Sequence, residues 1–226
     1  MPPPQNLTGH TKHHIAPFEV VVHNKPQDCW VSLLGKVLNV TSLIEEFKEY
    51  GNVRPILEQA GKDLSHWFNE YTNDIAHYVH PLTGALIPYT PHGSIPHVHQ
   101  TVPTTKWKPI KCPWWNDPEL EVGKLSKRVR PIKIANMLTG QQCMINVCCE
   151  DPVIRIAERY SIFNSDPLSY TWRFSESDDF LDMNKSLEEN GVFDERDAFT
   201  DLGLPQNLHI PSIFIYYNDD FKWEDQ

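Results

Sequence analysis

Residues 18–47, FEVVVHNKPQDCWVSLLGKVLNVTSLIEEF, decide how the N-terminal part of this chain folds. CWVSLLGKVLNV reads as a strand, a Gly-Lys turn and a second strand, a β-hairpin from Cys29 to Val40. Before it, APFEVVVHN reads as a turn and a short helix with Glu19, Val20 and His23 at helical spacing. After it, a Thr/Ser cap opens a periodic apolar run, so a helix begins near Ser42. RPILEQAGKD is a second short helix, with Pro55 in its first turn and Gly61 near its end. DLSHWFNEY, capped by Asp63, is expected to be a third helix, and DIAHYVHP a fourth, stopped by Pro81.

Outward from this region the texture changes. The first fifteen residues form a polar arm rich in Pro and His. Residues 83–121 form a connecting arm dense in Pro, His and Trp. Loops of that length are functional or lie across a partner. Trp107, Trp114 and Trp115 would anchor this arm to the protein's own core or to another subunit. From residue 122 a second domain is expected. RPIKIANMLTGQQCMINVC is a β-hairpin around Leu-Thr-Gly. DPVIRIAERYS is a helix with Asp151 as cap, Pro152 in first position and an Ile154, Ala157, Tyr160 stripe. SYTWRF and HIPSIFIYYNDD are strands, and between them a short strand and a single turn closed by Gly191 are expected. The result is a mixed sheet with one helix across it, and an α+β chain overall.

Composition narrows the function. The net charge of −10 disfavours nucleic acid as a partner. The one basic cluster, KLSKRVRPIK, is short. No apolar run approaches the roughly 20 residues that span a bilayer, and MPPPQNLTGHTKHH has no signal-peptide core, so no membrane role is expected. Five cysteines, with Cys148 and Cys149 adjacent in an apolar run, fit reduced thiols of a cytosolic compartment. The chain has no Gly-rich phosphate loop, Ser nucleophile elbow or supported Cys-His pair, and a non-enzymatic protein is expected.

Two resemblances sharpen this picture. The hairpin region above, followed by ILEQAGKDLSHWF, resembles the cytochrome b5 haem-binding domain, which would span residues 16–82. Residues 122–226, with LDMNKSLEENGV before an apolar strand, are similar to a ubiquitin-like β-grasp domain. The pairing, with PLTG, CPWW and YYNDD, resembles a family that joins those two domains and is associated with motile cilia. The resemblance implies a component of the axoneme, associated with radial spokes and neighbouring ciliary proteins, that binds haem b and helps coordinate beating. The alternative is a soluble cytosolic b5-type haem protein acting in electron transfer or redox sensing.

The resemblance also locates the ligand slots. The family's first ligand lies in a His-Pro-Gly-Gly turn, where this chain has FKEYGNVRP. Counting from AGKD puts that slot at Glu49, beside Tyr50, and the second at Asn73. The substitutes are His66 with His77 or His80, and Tyr50, since a phenolate can ligate haem iron. His66 and His77 are then the iron ligands of first choice. If helical, His77 and His80 share one face and ligate from the same side. The plainer alternative packs His66 beside Trp67 and Phe68 and leaves the other two at the surface. His92, His97 and His99 in PHGSIPHVH offer a competing zinc set.

Overall fold

The computed structural model describes residues 13–98 and 112–218. They divide after Leu125 into two units. The first contains β1 (His14–Ile15), α1 (Pro17–Val21), β2 (Asn24–Lys25), β3 (Asp28–Leu33), β4 (Lys36–Asn39), α2 (Thr41–Phe47) and α3 (Arg54–Glu58). It continues with β5 (Phe68–Asn69), β6 (Asp74–Ile75), β7 (His77–Val79), β8 (Leu86–Pro88) and β9 (Glu121–Leu125). Five of these strands form one sheet in the order β1-β9-β4-β3-β2.

The β3–β4 hairpin forms as its pattern predicts. Trp30 pairs with Asn39 and Leu33 with Lys36. The connection is Leu34-Gly35, both at positive φ (46° and 78°), the geometry that a two-residue hairpin turn demands. Alternation sends Cys29, Val31 and Leu33 to one face, into the main core with Leu43, Ile44, Ile56 and Leu64. On the other face, Val37 joins Ile15 and Val20 in a smaller cluster against Trp30. Burial pushes the Cys29 thiol up to about 11, with a further push from Asp28, so it stays protonated.

The AGKD turn covers the part of β3 that the short β2 leaves unpaired. Gly61 N–H donates to the Trp30 carbonyl at 2.7 Å, Ser32 N–H to Lys62 at 3.1 Å, and Leu64 N–H to Ser32 at 2.8 Å. The Ser32 and Ser65 hydroxyls both donate to Asp63 Oδ1 at 2.8 Å. Gly61 is required here twice over. Its φ is +76°, and a Cβ would sit 3.0 Å from the Val21 carbonyl oxygen.

Beyond Asp63 the structure departs from the sequence expectation. DLSHWFNEY is not a helix: Ser65–Trp67 make one 3-10 turn, and Phe68 pairs with Ile75 in the β5–β6 ribbon. DIAHYVHP is not a helix either, since His77–Val79 pair with Leu86–Pro88. Ile75, Tyr78 and Val79 are β-branched or aromatic and suit extended chain better than helix.

The connecting arm is likewise not a linker where it is described. β8 lies within it, Ile95, Trp114 and Trp115 are in the main core, and β9 pairs with both β4 and β1. The division falls after residue 125 rather than at 121. Trp107, His99, the first twelve residues and the tail beyond Asn218 lie outside the described residues.

The second unit contains β10 (Val129–Asn136), β11 (Gln142–Cys148), α4 (Val153–Tyr160), β12 (Tyr170–Phe174), α5 (Arg196–Asp201) and β13 (Ser212–Tyr217). Its sheet runs β11-β10-β13-β12, with β10 and β13 parallel at the centre and the outer pairs antiparallel. The sheet is mixed, as expected, and helix α4 buries Val153, Ile156, Ala157 and Tyr160 against it. Two details differ from the expectation. Ile154 is partly exposed, and Pro152 occupies the cap position. The Asp151 carboxylate instead accepts from Arg159 Nε at 2.9 Å, with the two side chains 1% and 12% exposed. Helix α5 has no apolar stripe and no buried residue, which is why its sequence gave no periodic signal. All five cysteines are free.

Gly61→Ala should lower the stability of the first unit by on the order of 1–3 kcal/mol, through left-handed strain and the contact with Val21. Denaturant unfolding followed by tryptophan fluorescence measures this loss, and an unchanged midpoint contradicts it.

Candidate functional site

Helices α2 and α3 and the aromatic pair Trp67-Phe68 bound the apolar interior of the first unit. The chain fills that interior itself. Phe68 has Trp114 at 6.1 Å, edge-on, and Trp115 at 5.7 Å, and the two indoles meet edge-to-face at 5.6 Å. Trp114 is 1% and Trp115 5% exposed.

Two hydrogen bonds fix Trp114. Its indole N–H donates to the Pro96 carbonyl at 3.1 Å, and its backbone N–H donates to His97 Nδ1 at 3.0 Å. His97 Nδ1 therefore carries no proton. Burial pushes the His97 imidazole below its ordinary value, against the opposing pull of Glu46 and Asp117. Its ring also stands edge-on to Phe47 at 5.4 Å. His97 is thus a packed residue rather than a zinc ligand. Among the described residues no group of three or more His, Cys, Asp or Glu is placed to hold a metal ion.

Each expected ligand has a definite place. Glu49 is exposed, and Asn73 is exposed with φ 51°. Neither slot of the resemblance supplies an imidazole. His66 lies exposed in the 3-10 turn, its ring beside Trp67 at 5.8 Å and His92 at 6.4 Å. His77 is exposed in β7, with Nδ1 2.8 Å from the Ile75 carbonyl. His80 sits in the β7–β8 turn, where Nδ1 accepts the N–H groups of Leu82 and Thr83 at 3.3 Å. The shared helical face expected for His77 and His80 does not exist, because extended chain sends residues three apart to opposite sides.

Tyr50 is 72% exposed at the start of the loop between α2 and α3. It borders an open cavity of about 530 Å³, the size range of small-molecule sites. Tyr50, Gly51, Asn52, Pro55 and the ion pair Arg54–Glu58 supply one side, and His92, Gly93 and Ser94 the other. The sides meet where a Cβ on Gly93 would lie 3.5 Å from Pro55. Asn52 Oδ1 is buried here and has no hydrogen-bond partner among the described residues.

The filled interior does not fit a porphyrin clamped between two histidines. The cavity carries a phenol and an imidazole beside a carboxamide oxygen that has no partner among the described residues, but its polar lining offers no apolar walls for a porphyrin. His92 was legible in the sequence only as part of a His-rich turn. No periodicity marks it as lining a cavity with Tyr50.

The first unit is a cytochrome b5-like domain. Residues 17–110 match the family of the Cytochrome b5-like Heme/Steroid binding domain. Over most of its length the chain is similar to the Cytochrome b5 domain-containing protein 1 of Homo sapiens, 41% identical over 210 residues, covering 92% of this chain and 91% of that protein. The Xenopus laevis protein of that name is 41% identical over 208 residues, covering 92% and 95%. A Cytochrome b5, seed isoform, of Nicotiana tabacum is 33% identical over 93 residues, covering 36% of this chain and 67% of its own. A designed protein based on ubiquitin covers 42% of this chain and 94% of its own at 13% identity, with a TM-score of 0.30, too slight a likeness to bear on the fold. The chain belongs to the cytochrome b5 domain-containing protein 1 family. No helix among the described residues is long and apolar enough to cross a membrane.

Trp114→Ala should destabilise the first unit by about 3–5 kcal/mol, as for other large buried aromatics. A denaturation midpoint within error of wild type contradicts that role. Acid should act on the same contact. A His with a depressed folded value contributes stability that is fully present above its unfolded value of about 6.5. That contribution is lost as pH falls from there through the folded value. The melting temperature of the first unit should therefore drop as pH falls below about 6.5, and His97→Gln should flatten the slope. Equal slopes in both proteins contradict the assignment.

Proposed function

We propose that this protein is a non-enzymatic component of the motile-cilium axoneme, associated with radial spokes, that binds haem b and helps coordinate beating. The single observation that carries this reading is the similarity across both units to the cytochrome b5 domain-containing protein 1 family. The haem part is supported by the matched domain.

A role in assembly is supported by the surface of the first unit. The β7–β8 hairpin exposes Val79 (63%), Leu82 (90%) and Leu86 (68%), and two-stranded hairpins are marginal unless packed on something. In the second unit, which we take as a ubiquitin-like β-grasp docking module, β11 borders the sheet on only one side. When bound, haem supplies an iron whose redox state or ligand a spoke component could sense. The residues of this chain hold and orient it.

Tagged protein in motile ciliated cells should remain with detergent-extracted axonemes, and its loss should disturb beat coordination while leaving axonemes assembled. Diffuse cytosolic signal with normal beating contradicts the ciliary role and favours a soluble redox protein.

A further inference from the structure

We propose that the outer edge of β7 is a docking edge for a second copy of this chain, and that two copies pair β7 against β7 about a two-fold axis at Tyr78. The assembly role proposed above gains a specific contact in this way. That contact is read on the purified protein, so it can fail while the ciliary reading stands, and the reverse.

The hydrogen bonds of the β7–β8 ribbon decide which edge is open. His80 N–H donates to the Ala85 carbonyl at 2.8 Å, and Tyr89 N–H to the Ala76 carbonyl at 2.7 Å. Tyr78 pairs with Ile87 between them. Inward and outward residues alternate along an antiparallel ladder, so Ala76, Tyr78 and His80 turn their backbone groups toward β8. His77 and Val79 turn theirs away from it, and on the other strand Leu86 and Pro88 do the same. Among the described residues no further strand covers either edge. The two edges are not equal. Pro88 has no N–H, and it sits where that N–H would point outward, which blunts β8. The β7 edge keeps every N–H and carbonyl of His77 and Val79, and the whole strand is exposed.

The side chains determine what this edge accepts. From Ile75 to Val98 the sequence has no Asp, Glu, Lys or Arg. The edge thus lacks the charges that keep exposed strands apart, and it has none to select an acidic or basic partner. Its pattern is instead complementary to itself. Pairing about Tyr78 sets His77 opposite the second copy's Val79, and Val79 opposite the second copy's His77. Every outward N–H and carbonyl of those residues then finds a partner. Tyr78 meets the second copy's Tyr78 at a non-hydrogen-bonded position, where cross-strand side chains approach most closely. Tyr78 already stands edge-on to Tyr89 at 6.0 Å, and the pairing extends that aromatic contact across the axis. On the opposite face it continues the exposed strip of Val79 and Leu86. A ribbon that is marginal by itself becomes part of a wider sheet. The net charge of −10 makes two copies repel at long range, while the contact itself is uncharged, so added salt should strengthen the pairing.

The test is sedimentation equilibrium of the full chain over a range of concentrations, for wild type, Val79→Pro, Val79→Lys and Leu82→Ser. Wild type should pass from monomer to dimer as concentration rises, and at lower concentration when salt is added. Val79→Pro gives β7 the block that Pro88 gives β8, and Val79→Lys puts a charge on the edge. Each should weaken dimerisation by about 10-fold or more, since the change falls on both copies. Val79→Lys alters an exposed side chain and keeps the test valid where Val79→Pro unsettles the ribbon. Leu82 lies in the turn beyond the paired strands, and Leu82→Ser should dimerise as wild type does. Tyr78→Cys, mildly oxidised at concentrations where it dimerises, should give a covalent dimer that wild type, with its five free cysteines, does not. A wild type that stays monomeric at every concentration overturns the proposal. A dimer left intact by Val79→Lys, or one that weakens as salt is added, overturns it as well. Association lost in Leu82→Ser and kept in Val79→Lys places the contact on the apolar tip instead. A dimer without the Tyr78→Cys crosslink overturns the axis at Tyr78.

Discussion

The contact of Trp114 and Trp115 with Phe68, pinned by His97, is the constraint on which the first unit depends. It joins segments far apart in the chain: the turn after AGKD, the residues around Pro96 and the 3-10 turn before β9. Burying an indole removes about 150–250 Å² from water, a gross gain of about 4–6 kcal/mol for each ring. The polar fixings matter for a different reason. Without the His97 nitrogen and the Pro96 carbonyl as acceptors, the backbone and indole N–H groups of Trp114 would be unmet donors in the core.

That contact reshapes what a b5-like fold can do here. In a domain whose two ligand-bearing segments flank an apolar cleft, the cleft exists for the cofactor. In this chain the cleft has become ordinary core, closed by residues of the same molecule. Among the described residues, a polar-edged cavity at the loop between α2 and α3 is open, with Tyr50 exposed on it. The exposed apolar residues of the β7–β8 hairpin are consistent with a subunit that works partly through what it touches.

How much of this was legible in the sequence depended on the range of the signal. The β3–β4 hairpin could be read because its alternation and its two-residue turn are local. Helices α2, α3 and α4 could be read for the same reason, through apolar spacing and Pro in the first turn. Residues 63–80 could not. Their short mix of His, Tyr, Ile and Asn carries no full helical stripe, and the β-branched and aromatic side chains settle as two small ribbons. Trp114 and Trp115 stood out as anchors, yet whether they anchor to their own core or to a partner is a long-range question, and the structure answers it for the former. Of the candidate ligands, Tyr50 was visible beside a displaced slot. His92 entered only in the zinc pattern, because nothing local says that it lines a cavity with Tyr50.

The most direct test of the filled interior is amide and indole hydrogen exchange in the haem-free protein, read by NMR at the indole N–H of Trp114. That proton is donated to Pro96 inside a closed core. It should exchange only as slowly as the first unit opens globally, and adding hemin should leave its chemical shift nearly unmoved. Rapid exchange in the haem-free protein, with protection appearing only when hemin is added, would show that the cleft waits for its cofactor and that the tryptophans do not replace it.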